Sequence, residues 1–352
     1  MRINPISLSP SFTLPLDDRA RMHVQVRGDL HASPWVSLHG GPGSGGGPGQ
    51  WLPFDSQRTR VMIPDQRGAG RSRPRGALRG NDLTHLVADM ERLRAHLNLK
   101  HWGVFGGSWG ATLALAYTAK HPERVTHLVL RGSFDGRNAT VKRLFTRRSP
   151  CPARCGTDWT QTRQTTGPNW HKLLRLLHFG ALTVAQRRVI TAWQQRERQA
   201  ILQGLRRSLH TTSKPADRQA IAQQLRALRQ TMRQSRHQAP RRHAVWRGWR
   251  DTYRIQAHYF AHACFLRPGQ WAHTLQTIAK HGVPIDVVHG CYDQVCPPTI
   301  AQDLERHFGQ TCIHWTHAGH LGTEPSNLAV LRQLLNEPAR NFSPKHCRER
   351  RR

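Results

Sequence analysis

The 352-residue sequence predicts an α/β fold: a mostly parallel sheet with helices on both faces, interrupted by one long helical insertion. Three observations predict it. Strand-like apolar runs alternate with helix-like segments up to about residue 134, the alternation resumes near residue 278, and the stretch between them is rich in Arg, Gln and Trp with helical rather than two-residue periodicity.

In chain order, MHVQV (22–26), PWVSLH (34–39) and RVMIP (60–64) read as short strands separated by turns. DLTHLVADMERLRAHLNL (82–99) reads as a helix, HWGVFGG (101–107) as a strand, ATLALAYTAKHP (111–122) as a helix and VTHLVLRG (125–132) as a strand. After the insertion come the strand in IAKHGVPIDVVHG (278–290), the helix TIAQDLERHFG (299–309), the strand TCIHWT (311–316) and the closing helix SNLAVLRQLLN (326–336). The expected organisation is therefore a core of 1–135 and 271–340, a helical, Arg-rich cap over 136–270, and a basic tail over 341–352. Within the cap, Ile221, Leu225, Leu228 and Met232 recur at spacings of four, three and four, an apolar stripe expected to rest the helix on the rest of the chain.

Lys+Arg 53 against Asp+Glu 21 gives a net charge of +32, carried almost entirely by arginine. Because arginine is scattered as well as clustered, and no aromatic or known binding module accompanies the Arg/Gln helix that carries the stripe, no specific nucleic-acid partner is expected. Seven cysteines at irregular spacing make no disulfide framework, and Cys151 with Cys155 lacks the second ligand pair that zinc requires. The first residues lack a basic region leading into an apolar stretch, and no run of eighteen apolar residues occurs, so neither a signal peptide nor a membrane span is expected and the cytoplasm is the default location. Oligomeric state is not legible.

The chemistry concentrates around Ser108, framed as G-x-S-x-G by Gly106 and Gly110 between a strand and a helix. A serine on such a turn stands in a strained conformation above the sheet, and the helix starting there turns its free N–H groups toward any oxyanion formed. A hydroxyl needs a histidine to take its proton and a carboxylate to orient the histidine. In the α/β-hydrolase order acid and base follow the serine: Asp293 and His320 each lie just beyond a strand-like run. The rivals are less well placed: Asp286 is inside a strand, His317 lacks the preceding loop glycine, and His39 reads as a loop brace. Trp109 and, in the glycine-rich loop HGGPGSGGG, Gly41 are the expected oxyanion donors.

The chain resembles the proline iminopeptidases of the α/β-hydrolase fold through HGGPG (39–43), DQRGAGRS (65–72), HLVADMERLR (85–94), GGSWGATLALAY (106–117), HPERV (121–125), LRGSF (130–134), HGCYDQVCPP (289–298) and, in the cap, RIQAHYF (254–260). The resemblance implies a triad of Ser108, Asp293 and His320, no metal and no organic cofactor. It also implies that Gln256, Glu197, Tyr259 and Phe134 face the substrate, a small peptide, amide or ester.

The resembled enzymes hold the substrate's free amine with cap glutamates, one in R-I-E-x-H-Y-F and one in W-x-x-W-E. Here the first is Gln256. The second aligns either with Ala192-Trp193 leading to Glu197 or with Trp246-x-x-Trp249 leading to Arg250. The expected activity is release of an N-terminal proline or other small residue through an acyl-enzyme. The alternatives are an esterase or amidase whose substrate lacks a free amine, and a basic nucleic-acid-associated protein on a hydrolase fold.

Overall fold

The computed structural model describes residues 11–17, 19–146, 168–237, 243–308 and 312–337; Cys151, Cys155 and the basic C-terminal tail lie outside them. Eight strands, β1 (Ser11–Pro15), β2 (Arg21–Gly28), β3 (Ser33–Leu38), β4 (Thr59–Pro64), β5 (Trp102–Gly107), β6 (Val125–Arg131), β7 (Ile285–Gly290) and β8 (Cys312–Thr316), form one sheet in the order β1-β2-β4-β3-β5-β6-β7-β8. β1 and β2 run antiparallel at one edge and every pairing from β4 to β8 is parallel. β1 was not read from sequence: its two-residue alternation is short and ends on Pro15, a position tolerated on an edge strand.

The helices are α1 (Leu83–His96), α2 (Trp109–Lys120), α3 (Asn138–Thr146), α4 (Trp170–Leu176), α5 (Val184–Thr211), α6 (Pro215–His237), α7 (His243–Ala261), α8 (Gln270–His281), α9 (Thr299–His307) and α10 (Pro325–Asn336). Alternate strand residues serve the two faces. Val36, Met62, Val104, Leu128 and Val287 pack with α1, α2, α8 and α9, whereas their neighbours Trp35, Val61, Phe105, Val129 and Val288 pack with Leu331, Leu334 and Leu335 of α10. α8 buries Leu275 and Ile278 in the main core, so core packing resumes several residues before the strand that signals it in the sequence.

α3 to α7 fill the interval between β6 and α8. The stripe on α6 meets α5: Ile221 and Leu225 pack with Leu202 and Leu205, and Leu228 and Leu321 join them. Leu321 follows His320, so this small core reaches the loop after β8.

Candidate active site

Ser108 leaves β5 with φ 57° and ψ −123° and opens α2. A non-glycine residue at positive φ stores strain, which the neighbouring glycines make possible. A Cβ on Gly106 would collide with the Gly110 carbonyl, and a Cβ on Gly110 with the Leu38 carbonyl, so strand and helix approach through both. The Ser108 amide is held by the Arg131 carbonyl at 2.9 Å.

Asp293 and His320 lie on the loops after β7 and β8, and the His320 Nδ1 to Asp293 Oδ2 distance is 2.7 Å. Gly132, at φ +50°, lets the pair approach the end of β6: a Cβ there would sit 3.2 Å from Asp293 Oδ2 and 3.3 Å from His320 Nδ1. Burial pushes the Asp293 carboxyl up, but the charge and hydrogen bond of His320, helped by His289 and the Cys296 amide, hold it below the usual carboxylate range. The other oxygen accepts from the amides of Val295 at 2.8 Å and Cys296 at 2.9 Å. Ser108 Oγ lies 3.9 Å from Cys296 Sγ, a thiol that burial keeps protonated and unable to compete as a nucleophile.

The rival residues sit elsewhere. Asp286, in β7, bonds His127 Nε2 of β6 at 2.8 Å and His314 Nε2 of β8 at 2.6 Å. Burial raises its carboxyl, the two histidines more than reverse this, and the cluster ties three strands. His317 is exposed. His39 is buried with both ring nitrogens engaged, Nδ1 with the Gly40 carbonyl at 3.1 Å and Nε2 accepting from the Gln66 amide at 3.1 Å.

Gly41 turns at φ +53° in the loop after β3, and Trp109, as the first residue of α2, has an N–H without an intrahelical acceptor. Sequence reasoning missed the residues that brace them. Gln66 accepts from Trp109 Nε1 at 2.9 Å and donates to the His39 carbonyl at 2.9 Å, and Asp65 Oδ1 accepts from the Gly46 amide at 2.6 Å. Arg67 and Asp89 form a buried bidentate pair at 2.6 and 2.8 Å behind them. Around His320, Glu324 accepts from the amides of Gly319 at 2.8 Å and Leu321 at 3.1 Å, and Arg131 donates to the His320 carbonyl at 2.7 Å. The string DQRGAGRS was the available signal for the first group; Glu324 and Arg131 carry no local signature because their partners are distant or are backbone.

α7 lies over the glycine loop. A Cβ on Gly43 would meet Ile255, and one on Gly41 would come within 3.2 Å of Gln256 Nε2, while Gln256 Oε1 is buried without a hydrogen-bond partner among the described residues. Glu197, on α5, accepts from Trp193 Nε1 at 3.1 Å and Tyr253 OH at 3.0 Å, and burial raises its carboxyl to about 7 against those bonds. Trp193 in turn touches Trp170, Phe145, Tyr253 and Phe260, and Phe134 lies against Phe260. Arg250, the other residue that aligns with the second glutamate, is engaged in a buried pair with Asp251 and a bond to the Gly180 carbonyl. Tyr259 is a correction. It is wholly buried, its hydroxyl donates to Asn81 Oδ1 at 3.0 Å and its ring lies edge-on to Trp109 at 4.7 Å, so it supports the elbow and does not face a substrate.

Residues 36–324 match the family described as alpha/beta hydrolase fold. The chain is 34% identical over 322 residues to the proline iminopeptidase of Xylella fastidiosa, covering 90% of this chain and 93% of that protein. It is 31% identical over 341 residues to the proline iminopeptidase of Arabidopsis thaliana, covering 93% and 79%. Among solved structures, an alpha/beta hydrolase enzyme from a Medee basin deep-sea metagenome library superposes with a TM-score of 0.63 at 13% identity over 94% of this chain and 100% of that one, which bears on the fold. Among the described residues, no helix is long and apolar enough to cross a membrane. The fold, the family match and relatives of this identity and coverage agree: the chain belongs to the proline iminopeptidase family of α/β-hydrolase-fold serine hydrolases.

Proposed function

We propose that the chain is an aminopeptidase that releases an N-terminal proline or another small residue from short peptides. Ser108 attacks the acyl carbon, His320 takes the hydroxyl proton and returns it to the leaving amine, and Asp293 holds the His320 ring by its Nδ1 side. The amides of Gly41 and Trp109 receive the oxyanion. Water activated by His320 then releases the acyl-enzyme. The helices α3 to α7 act as the cap that closes over the bond to be cut.

One observation carries the substrate reading. The Glu197 carboxylate is set between Trp193 of α5 and Tyr253 of α7, the helix that overlies the glycine loop. A buried carboxylate near the glycine loop favours an ammonium group, which gains a charged hydrogen bond to it. Gln256 adds a neutral amide beside Gly41, so a single carboxylate carries the charge recognition.

A panel of amino-acid naphthylamides, their N-acetylated forms and short-chain nitrophenyl esters, run with Ser108→Ala, tests the proposal. Proline naphthylamide should be cleaved, its acetylated form spared, and Ser108→Ala should lose at least about 10³ of turnover. Preference for esters or blocked amines would replace the aminopeptidase reading with an esterase or amidase.

A further inference from the structure

α5 runs for 28 residues and contains a single glycine, Gly204, seven residues beyond Glu197. A glycine inside a helix weakens it relative to alanine and calls for a packing reason. Here the reason is contact with the loops that carry the acid and the base. A Cβ on Gly204 would stand 3.0 Å from Gly319 Cα, 3.0 Å from the Tyr292 carbonyl oxygen and 3.8 Å from the His320 amide nitrogen. In return, a Cβ on Gly319 would stand 3.0 Å from Gly204 Cα. One turn further on, Ser208 Oγ donates to the His317 carbonyl at 2.9 Å, and from α6 Gln224 Nε2 donates to the Thr323 carbonyl at 2.8 Å.

The helix puts these residues in line with the recognition carboxylate. At 3.6 residues per turn, Glu197, Gly204 and Ser208 fall within an arc of about 40° on one face. Arg206 falls on the opposite face and is exposed.

We propose that Gly204 and Ser208 are positioning residues for His320, and that α5 is the rigid spacer between amine recognition and the general base. Neither residue touches the reacting atoms. Both act through Gly319 and His317, on the N-terminal side of His320, while Glu197 sits about 10 to 17 Å away along the same helix at 1.5 Å per residue. A substrate held by Glu197 and a base seated by Gly204 and Ser208 are then registered by one element. The inference rests on the serine-hydrolase reading.

The test reads the Ser108–His320 couple by the rate of fluorophosphonate labelling, which needs no substrate amine, together with kcat, KM and melting temperature on the full chain. Gly204→Ala improves helix propensity but presses a methyl group against backbone that has no flexible end to yield. Labelling and kcat should fall together by about tenfold to a hundredfold, with KM within about twofold, as expected for a base displaced by a fraction of an ångström. Ser208→Ala should show a smaller fall that Ser208→Thr restores, and Arg206→Gln should match the parent. Labelling of Gly204→Ala and Ser208→Ala at the parent rate would overturn the inference alone. A parent chain that does not label at Ser108 would overturn the hydrolase reading and this inference with it.

Discussion

Replacing Glu197 by glutamine should separate recognition from stability. Burial raises the carboxyl from 4.5 to about 7. At about 1.36 kcal/mol per pKa unit, holding this group ionised in the folded protein at pH 8 costs about 3 kcal/mol relative to the unfolded chain. The folded pKa lies above the unfolded one, so the folded state retains a proton that the unfolded state gives up between pH 4.5 and 7. The stability contribution is thus full below pH 4.5 and is lost as pH rises through 7. Glutamine has no such dependence. It loses roughly one of the two bonds from Trp193 and Tyr253, about 1 kcal/mol, at every pH. Urea denaturation at pH 4.5 and at pH 8 should therefore show the variant gaining about 2 to 3 kcal/mol on the parent as pH rises. Over the same interval the parent's KM for a free-amine substrate should improve through pH 7. At pH 8 the variant should lose about tenfold to a hundredfold in kcat/KM, the equivalent of a charged hydrogen bond of about 1.5 to 3 kcal/mol. A stability difference that stays constant from pH 4.5 to 8 would refute the burial argument, and an unchanged kcat/KM would remove Glu197 from amine recognition.

Asp293→Asn should lower turnover by on the order of 10⁴, because His320 loses the acceptor that fixes its tautomer. Asp286→Asn should leave turnover within severalfold and lower stability by about 2 kcal/mol near neutral pH, measured by denaturant titration, since it disarms the His127–Asp286–His314 cluster. Its carboxyl is depressed in the fold, so this contribution is present above the unfolded carboxylate range and disappears as pH falls through the folded value. Gln256→Glu should raise kcat/KM for proline naphthylamide by about tenfold to a hundredfold while leaving substrates without an amine unchanged, by giving the ammonium a second charged acceptor. Any duplex DNA affinity of the basic surface should be micromolar or weaker in a fluorescence-anisotropy titration and should collapse between low and moderate salt, as phosphate contacts alone require.

The sequence by itself determined the alternating core, because two-residue and helical periods are local properties, and it determined the sharp turn at Ser108, because the glycines such a turn demands, Gly106 and Gly110, stand two residues to either side. Asp293 and His320 were legible for a related reason: each leaves a strand into a loop at the same edge of the sheet. What it left open was the cap. Whether Glu197 or Arg250 stood for the second glutamate depended on which side of α5 and α7 meets the other, and Tyr259 was misread because it lies one turn beyond Ile255 on the face of α7 that meets the glycine loop, where it packs on Trp109. β1 was missed because its partner strand, not its own pattern, makes it a strand. The braces formed by Gln66 and Arg131, and the contact of Gly204 with Gly319, belong to tertiary structure, since they reach main-chain atoms far away in the sequence; Glu324 binds amides of its own loop, and main-chain atoms, near or far, are the same at every position and leave no residue type to read.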